Sequence, residues 1–138
     1  MTKRAKQVEP TSVAAGLADQ LTACQAVIDT HCKDWDSAQE LMRLFAGLYV
    51  FFLMPVMSEH DNERRAINAV LRSRIGLGFS WYSCLKYLSG ARAKNIFAAH
   101  GDVVRAAGGS EMMLAFNQIM PTLPDVLAKI DREVRRSS

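Results

Sequence analysis

The chain has 138 residues, a net charge of +3 and a hydrophobic fraction of 49%. A chain of this length buries roughly two-thirds of its unfolded surface, so the composition predicts one globular domain and excludes disordered, fibrous and disulfide-rich classes. Three cysteines without C-x-x-C spacing favour reduced thiols and a cytoplasmic location.

The first predicted helix follows a polar N-terminal segment. Residues 1–10 are basic and polar and are interpreted as a flexible tail. The Ala-rich segment that follows lacks the apolar run of a signal peptide. From Ser12 to about His31, apolar residues recur at steps of three and four. This spacing predicts one helix with one buried face.

The second predicted helix contains the most apolar stretch of the chain. It starts near Ala38, after Asp36 or Ser37 as its cap, and enters LFAGLYVFFLMPVMS, residues 44–58. Pro55 predicts a kink or a new turn. Because a membrane-spanning helix needs about 20 apolar residues, this uncharged run favours a core helix over a membrane-associated segment.

Glycines divide the second half of the chain into further predicted helices. An amphipathic helix ends at Gly76, and another runs from Trp81, weakens at Gly90 and reaches about His100. A short helical piece, DVVRAA, precedes an apolar helix that opens at Ser110, and TLPD caps the last helix. No segment alternates apolar and polar residues over the length of a strand. The sequence therefore predicts an all-α domain over residues 1–138, a compact bundle of about six helices.

No catalytic or metal-ligating pattern stands out in the sequence. The glycines of IGLGFSW lack the third glycine and the preceding strand of a dinucleotide fingerprint. Cys24, His31 and Cys32 would leave a structural zinc without its fourth ligand. Cys84, which a histidine would have to activate, falls in a predicted core helix. We therefore expect no enzyme, no metal, no cofactor and no small-molecule substrate.

Charge is unevenly distributed along the chain. Residues 1–63 carry five basic and nine acidic side chains, a balance of −4, whereas residues 64–138 carry twelve and five, a balance of +7. Between residues 64 and 105, a single acid, Asp102, accompanies eight cations. These candidate nucleic-acid-binding residues are Arg64, Arg65, Arg72, Arg74, Lys86, Arg92, Lys94 and Arg105. Such asymmetry predicts a surface for an anionic partner.

Aromatic residues lie within the same basic span. Cations with nearby rings such as Trp81 and Tyr82 are typical of surfaces that hold a single strand without sequence choice. The opposing interpretation assigns the rings to the core and the cations to a solvated outer face. Both interpretations fit the spacing.

Two short passages resemble known families. IGLGFSWYSCLKYL, about a tenth of the chain, looks somewhat like the helical small subunits of CRISPR effector complexes. That likeness implies a Gly-Leu elbow between core helices and basic outer faces along a nucleic-acid channel, although no aligned pattern extends into the first fifty residues. VVRAAG resembles the middle of a helix-turn-helix protein of the Fis type. However, residues 106–128 contain no lysine or arginine, which argues against a recognition helix.

Two functions follow from the sequence. The first is a non-enzymatic subunit of a larger assembly that binds RNA or single-stranded DNA through its basic face. The alternative is a protein-binding adaptor, inhibitor or regulator of phage or plasmid type, whose basic face meets an acidic protein partner. In that alternative the methionine-rich stretch 111–120 forms an adaptable partner surface, unless it belongs to the core.

Overall fold

The computed structural model is all-helical over its described residues. The backbone is described for residues 2–59 and 61–137, and the side chains for residues 13–54, 62–108 and 110–132. This part of the chain contains seven helices and no strand. They are α1 (Thr2–His31), α2 (Trp35–Glu59), α3 (Asp61–Arg74), α4 (Trp81–Leu88), α5 (Ala91–Ala99), α6 (Gly101–Ile119) and α7 (Leu123–Ser137).

The all-α class is confirmed, and the helix count differs from the expected six or so. The stretch 81–100 is two helices, since Ser89 and Gly90 separate α4 from α5. Helix α1 begins at Thr2 rather than near Ser12, so the backbone of residues 2–10 is helical. The side chains of the expected basic tail lie outside the described residues.

Helix α2 occupies the centre of the bundle and contacts α1, α3, α4, α5 and α6. Eight of the ten residues 41–50 are buried, as expected of a helix that is apolar on nearly all sides. Residues 44–50 of the apolar run are therefore mainly core, whereas Phe52 is exposed. The helix continues through Pro55 to Glu59. No helix in the described part of the chain is both long and apolar enough to cross a bilayer.

The cap of α2 is Asp34, not Asp36 or Ser37 as the sequence suggested. The backbone N–H and the hydroxyl of Ser37 donate to Asp34 Oδ2 over 3.0 and 2.6 Å. These bonds lower the pKa of the Asp34 carboxyl below its usual value. A cap bonds the N–H two or three residues ahead, so the helix begins one residue after Asp34, at Trp35.

Helices α2 and α4 cross in close contact at Gly47. A Cβ at this position would lie 2.9 Å from the carbonyl oxygen of Cys84 and 3.2 Å from Leu88 Cβ. Only glycine leaves room for that approach. The contact presses the buried face of α4, which includes Cys84, Leu85 and Leu88, onto the central helix.

Helix α6 is continuous through the glycine pair 108–109 but bends there. A Cβ on Gly108 would lie 2.8 Å from Met112 Cβ, one turn ahead. The two successive turns are therefore unusually close to each other on the side of the helix that carries Gly108 and Met112. In a straight helix, residues twelve apart lie about 18 Å apart along the axis. Yet Met113 Cε comes within 3.6 Å of a Cβ built on Gly101. The glycines predicted to break the helix instead lie within a continuous, bent helix.

Helix α7 rests on the bundle through its apolar stripe. Leu123 and Ile130 are buried, as the spacing of the last helix predicts. The hydroxyl of Tyr82 on α4 donates to the carboxylate of Asp131. This bond links the side chains of α4 and α7.

Candidate nucleic-acid interface

The eight candidate cations lie on four successive helices. Their positions are Arg64, Arg65, Arg72 and Arg74 on α3, Lys86 on α4, Arg92 and Lys94 on α5, and Arg105 on α6. All except the half-buried Arg64 are exposed. Six of the seven exposed candidates make no ion pair within the described part of the chain. These are Arg65, Arg72, Arg74, Lys86, Lys94 and Arg105.

Helix α3 directs Arg65 and Arg72 outward because its apolar residues face the core. Ile67 and Leu71 are buried one turn apart. Arg65 and Arg72, seven residues apart, share the opposite face of the helix. Arg74 stands in the last turn, where the negative end of the helix dipole favours a cation.

The elbow between α3 and α4 is a tight turn. The N–H groups of Ile75 and Gly76 donate to the carbonyl of Leu71 over 2.8 and 3.2 Å, and the N–H of Phe79 donates to the carbonyl of Gly76 over 3.1 Å. The side chains of Ile75 and Phe79 pack against the core on either side of Leu77. The turn is therefore anchored at both ends.

Helix α4 starts against the middle of α3. The N–H of Trp81 donates to Asn68 Oδ1 over 2.9 Å, and Ser80 caps the helix by accepting from the N–H of Ser83. The guanidinium of Arg43 lies over the ring of the preceding Phe79, with its carbon 4.8 Å from the ring centroid. These contacts fix the position of the elbow relative to α2.

Lys86 and Arg92 contact different groups of residues. Lys86 Nζ lies over the ring of Tyr82, 5.6 Å from its centroid, on the side where Tyr82 reaches Asp131 of α7. Tyr87 lies about 100° further round the helix and bonds to Glu40, the carboxylate that also binds Arg92. The rings of Trp81 and Tyr82 are half-buried and packed against the core.

A cluster around Glu40 escaped sequence reasoning. The carboxylate, 12% exposed, accepts from Arg92 Nη2 over 2.6 Å and from Arg43 Nη1 over 3.3 Å, and the hydroxyl of Tyr87 donates to its other oxygen. Burial is the main cause that raises the pKa of Tyr87, and the bond to the carboxylate adds to it. Arg92, one of the eight candidates, is therefore already paired.

A signal for this cluster does exist in the sequence. Glu40 and Arg43 are the only charged residues between positions 38 and 54, an otherwise apolar stretch with polar Gln39. A charge in a core helix requires a partner. The sequence does not reveal that the partners come from α4 and α5.

The cluster lines a cleft of about 280 Å³ between the start of α2 and α5. Its lining residues are Trp35, Asp36, Ser37, Gln39, Glu40, Arg43, Arg92 and Ile96. The indole of Trp35 is 72% exposed. Two carboxylates and two guanidiniums leave the lining without net charge, so the cleft selects neither anions nor cations.

Known proteins give no relative. No family model, curated protein or solved structure matches the chain. The function has to be inferred from the surface.

Metal-ligating and nucleophilic side chains are dispersed in the described part of the chain. No three histidine, cysteine, aspartate or glutamate side chains come together there as metal ligands. Cys84 is fully buried, and this burial raises the pKa of its thiol to about 12. Burial likewise raises the pKa of Cys24. Both thiols are thus protonated at neutral pH, whereas Cys32 is half-buried.

We expect one thiol of the native protein to react rapidly with a disulfide reagent such as DTNB. Cys32 is reached by solvent, while Cys24 and Cys84 are inaccessible and protonated. Absorbance should record one fast thiol in buffer and three in denaturant. A Cys32→Ser variant should lose the fast phase; a second rapid thiol in that variant would contradict the burial of the other two.

Proposed function

We propose that the protein is a non-enzymatic subunit that binds RNA or single-stranded DNA through the exposed cations of α3 to α6. One observation carries the proposal: residues 64–101 contain seven cations and no acid. The exposed, unpaired side chains among the eight candidates support it, since cations already bound to carboxylates neutralise phosphate less well.

Phosphate contacts supply the affinity in this proposal. Arginine and lysine bind phosphate oxygens without reading bases, so the sequence of the strand matters little. Arg65 and Arg72 on the outer face of α3, with Arg74 at its end, form the densest group. Arg92 contributes less, because Glu40 holds its guanidinium.

The proposal predicts salt-dependent binding that a local charge reversal weakens. Arg72→Glu, Arg74→Glu and Lys86→Glu in one chain should lower the affinity for labelled single-stranded RNA more than tenfold at low salt. The slope of log K against log salt should fall by about 2, since each cation accounts for about 0.7 on a single strand. Fluorescence anisotropy at several salt concentrations measures both quantities.

A matched triple variant separates local from overall charge. Lys33, Lys129 and Arg132 are exposed cations outside the span 64–105. Their replacement by glutamate changes the net charge equally and should cost much less affinity. Equal losses in the two variants would contradict the site, and absence of binding by the wild-type chain would contradict the function.

The alternative of an acidic protein partner has less support. Met112 and Phe116 are buried and Met113 and Met120 are half-buried against the core, so the methionines of this stretch offer little adaptable surface. In that alternative, the acidic protein would bind only through the same eight candidate cations. Wild-type protein that fails to bind either nucleic acid at low salt would favour it.

A further inference from the structure

Leu77 is the most exposed large hydrophobic side chain in the described part of the chain. It is 89% exposed, compared with 72% for Trp35, 59% for Leu114 and 52% for Phe52. Leucine at this exposure contributes nothing to packing, and it stands between Gly76 and Gly78 at the tip of the elbow. An exposed apolar tip gains free energy only when a partner covers it.

The tip is held in a fixed place. The turn closes through the Phe79 to Gly76 hydrogen bond, and Ile75 and Phe79 on either side pack against the core. The guanidinium of Arg43 lies over the Phe79 ring. A preordered loop loses little conformational entropy when a ligand covers it.

Two unpaired cations accompany the apolar tip. Arg72 and Arg74 occupy the last turn of α3, immediately before the elbow, and both are exposed. No acid lies between residues 64 and 101. The elbow therefore combines one apolar side chain with positive charge, and a polyanion that carries apolar faces complements it.

We propose that Leu77 is a wedge that inserts between neighbouring bases of the strand bound by the cations of α3. This inference rests on the proposed function. Leucine side chains act as wedges in other nucleic-acid complexes, where they separate stacked bases. One isolated side chain fits a single base step, whereas attachment to a bilayer needs a larger apolar area.

The test uses the full chain, a Leu77→Ser variant and a single-stranded RNA that contains 2-aminopurine, whose emission rises when it is unstacked. Loss of the wedge should weaken binding roughly tenfold or more, the scale of one fully buried leucine side chain. The salt slope should stay unchanged, because leucine releases no counterions. The emission should rise with the wild-type chain and stay low with the variant.

Leu114→Ser is the matched control. Leu114 is also exposed, but it lies on α6 in the stretch 106–128, which has no lysine or arginine. This variant should bind and unstack the base like the wild type. Thermal unfolding should be unchanged in both variants, since neither side chain is buried.

The outcomes distinguish the wedge from the proposed function. Equal affinity and equal emission for Leu77→Ser and wild type would overturn the wedge and leave nucleic-acid binding intact. Wild-type protein that binds neither RNA nor DNA would overturn both. Binding to vesicles of anionic lipid that depends on Leu77, without binding to RNA, would overturn both and assign the tip to a membrane surface.

Discussion

Replacement of Glu40 by alanine is expected to lower the free energy of unfolding by about 3 kcal/mol. Loss of one partner from a buried ion pair costs about 3–5 kcal/mol, because the remaining charge stays desolvated. Here Arg43 and the hydroxyl of Tyr87 would lose their acceptor. Arg92 is 76% exposed and regains water, which places the effect at the lower end of the range.

A series of variants tests this order of effects by urea denaturation. Tyr87→Phe should cost about 1 kcal/mol, the usual value of one hydrogen bond. Arg92→Ala should cost about 0.5 kcal/mol, as expected of a largely exposed ion-pair partner. If Glu40→Ala costs no more than Arg92→Ala, the carboxylate is not the centre of the cluster.

Replacement of Gly47 by alanine is expected to destabilise the protein by about 2 kcal/mol. The added methyl would meet the backbone carbonyl of Cys84 at 2.9 Å and Leu88 Cβ at 3.2 Å. A backbone atom does not rotate away, so α2 and α4 must separate, and overpacking of this kind costs about 1–3 kcal/mol. Thermal and urea unfolding should both report the loss.

Gly16→Ala is the control for this substitution. Gly16 is an exposed helical position on α1, and a Cβ there meets nothing within 4 Å. Alanine is favoured over glycine within a helix by about 1 kcal/mol, so this variant should be neutral or more stable. Stabilisation by Gly47→Ala as well would contradict the close crossing.

Local periodicity was enough to predict most of the fold. The amphipathic pattern of α3 gave its buried face, with Ile67 and Leu71 inside, and the apolar run of α2 gave the central helix. The errors at the helix breaks occurred where the effect of glycine depends on the residues packed around it. Gly90 separates α4 from α5, while the pair 108–109 bends α6 without ending it. Glycine is compatible both with a helix end and with a bend inside a helix, and the residues packed around it determine which of the two forms.

The candidate interface was only partly readable from the sequence. A count of charges locates the basic span, because charge asymmetry is a property of the chain itself. Arg92 and Arg72 look alike in that count, yet only Arg92 finds a carboxylate within the described residues. In the sequence, Leu77 falls within a predicted helix break. The exposure of its side chain depends on which neighbouring residues pack into the core.

The sequence by itself determined the helical class, the central position of α2 and the basic character of residues 64–105, since these follow from local spacing and composition. Only the tertiary structure decided which cations stay unpaired and which apolar side chain stays uncovered. Glu40 meets Tyr87 and Arg92, 47 and 52 residues later, because the chain folds α4 and α5 back across α2. Contacts between residues so far apart depend on how the helices pack, and the spacing within any one helix does not specify them.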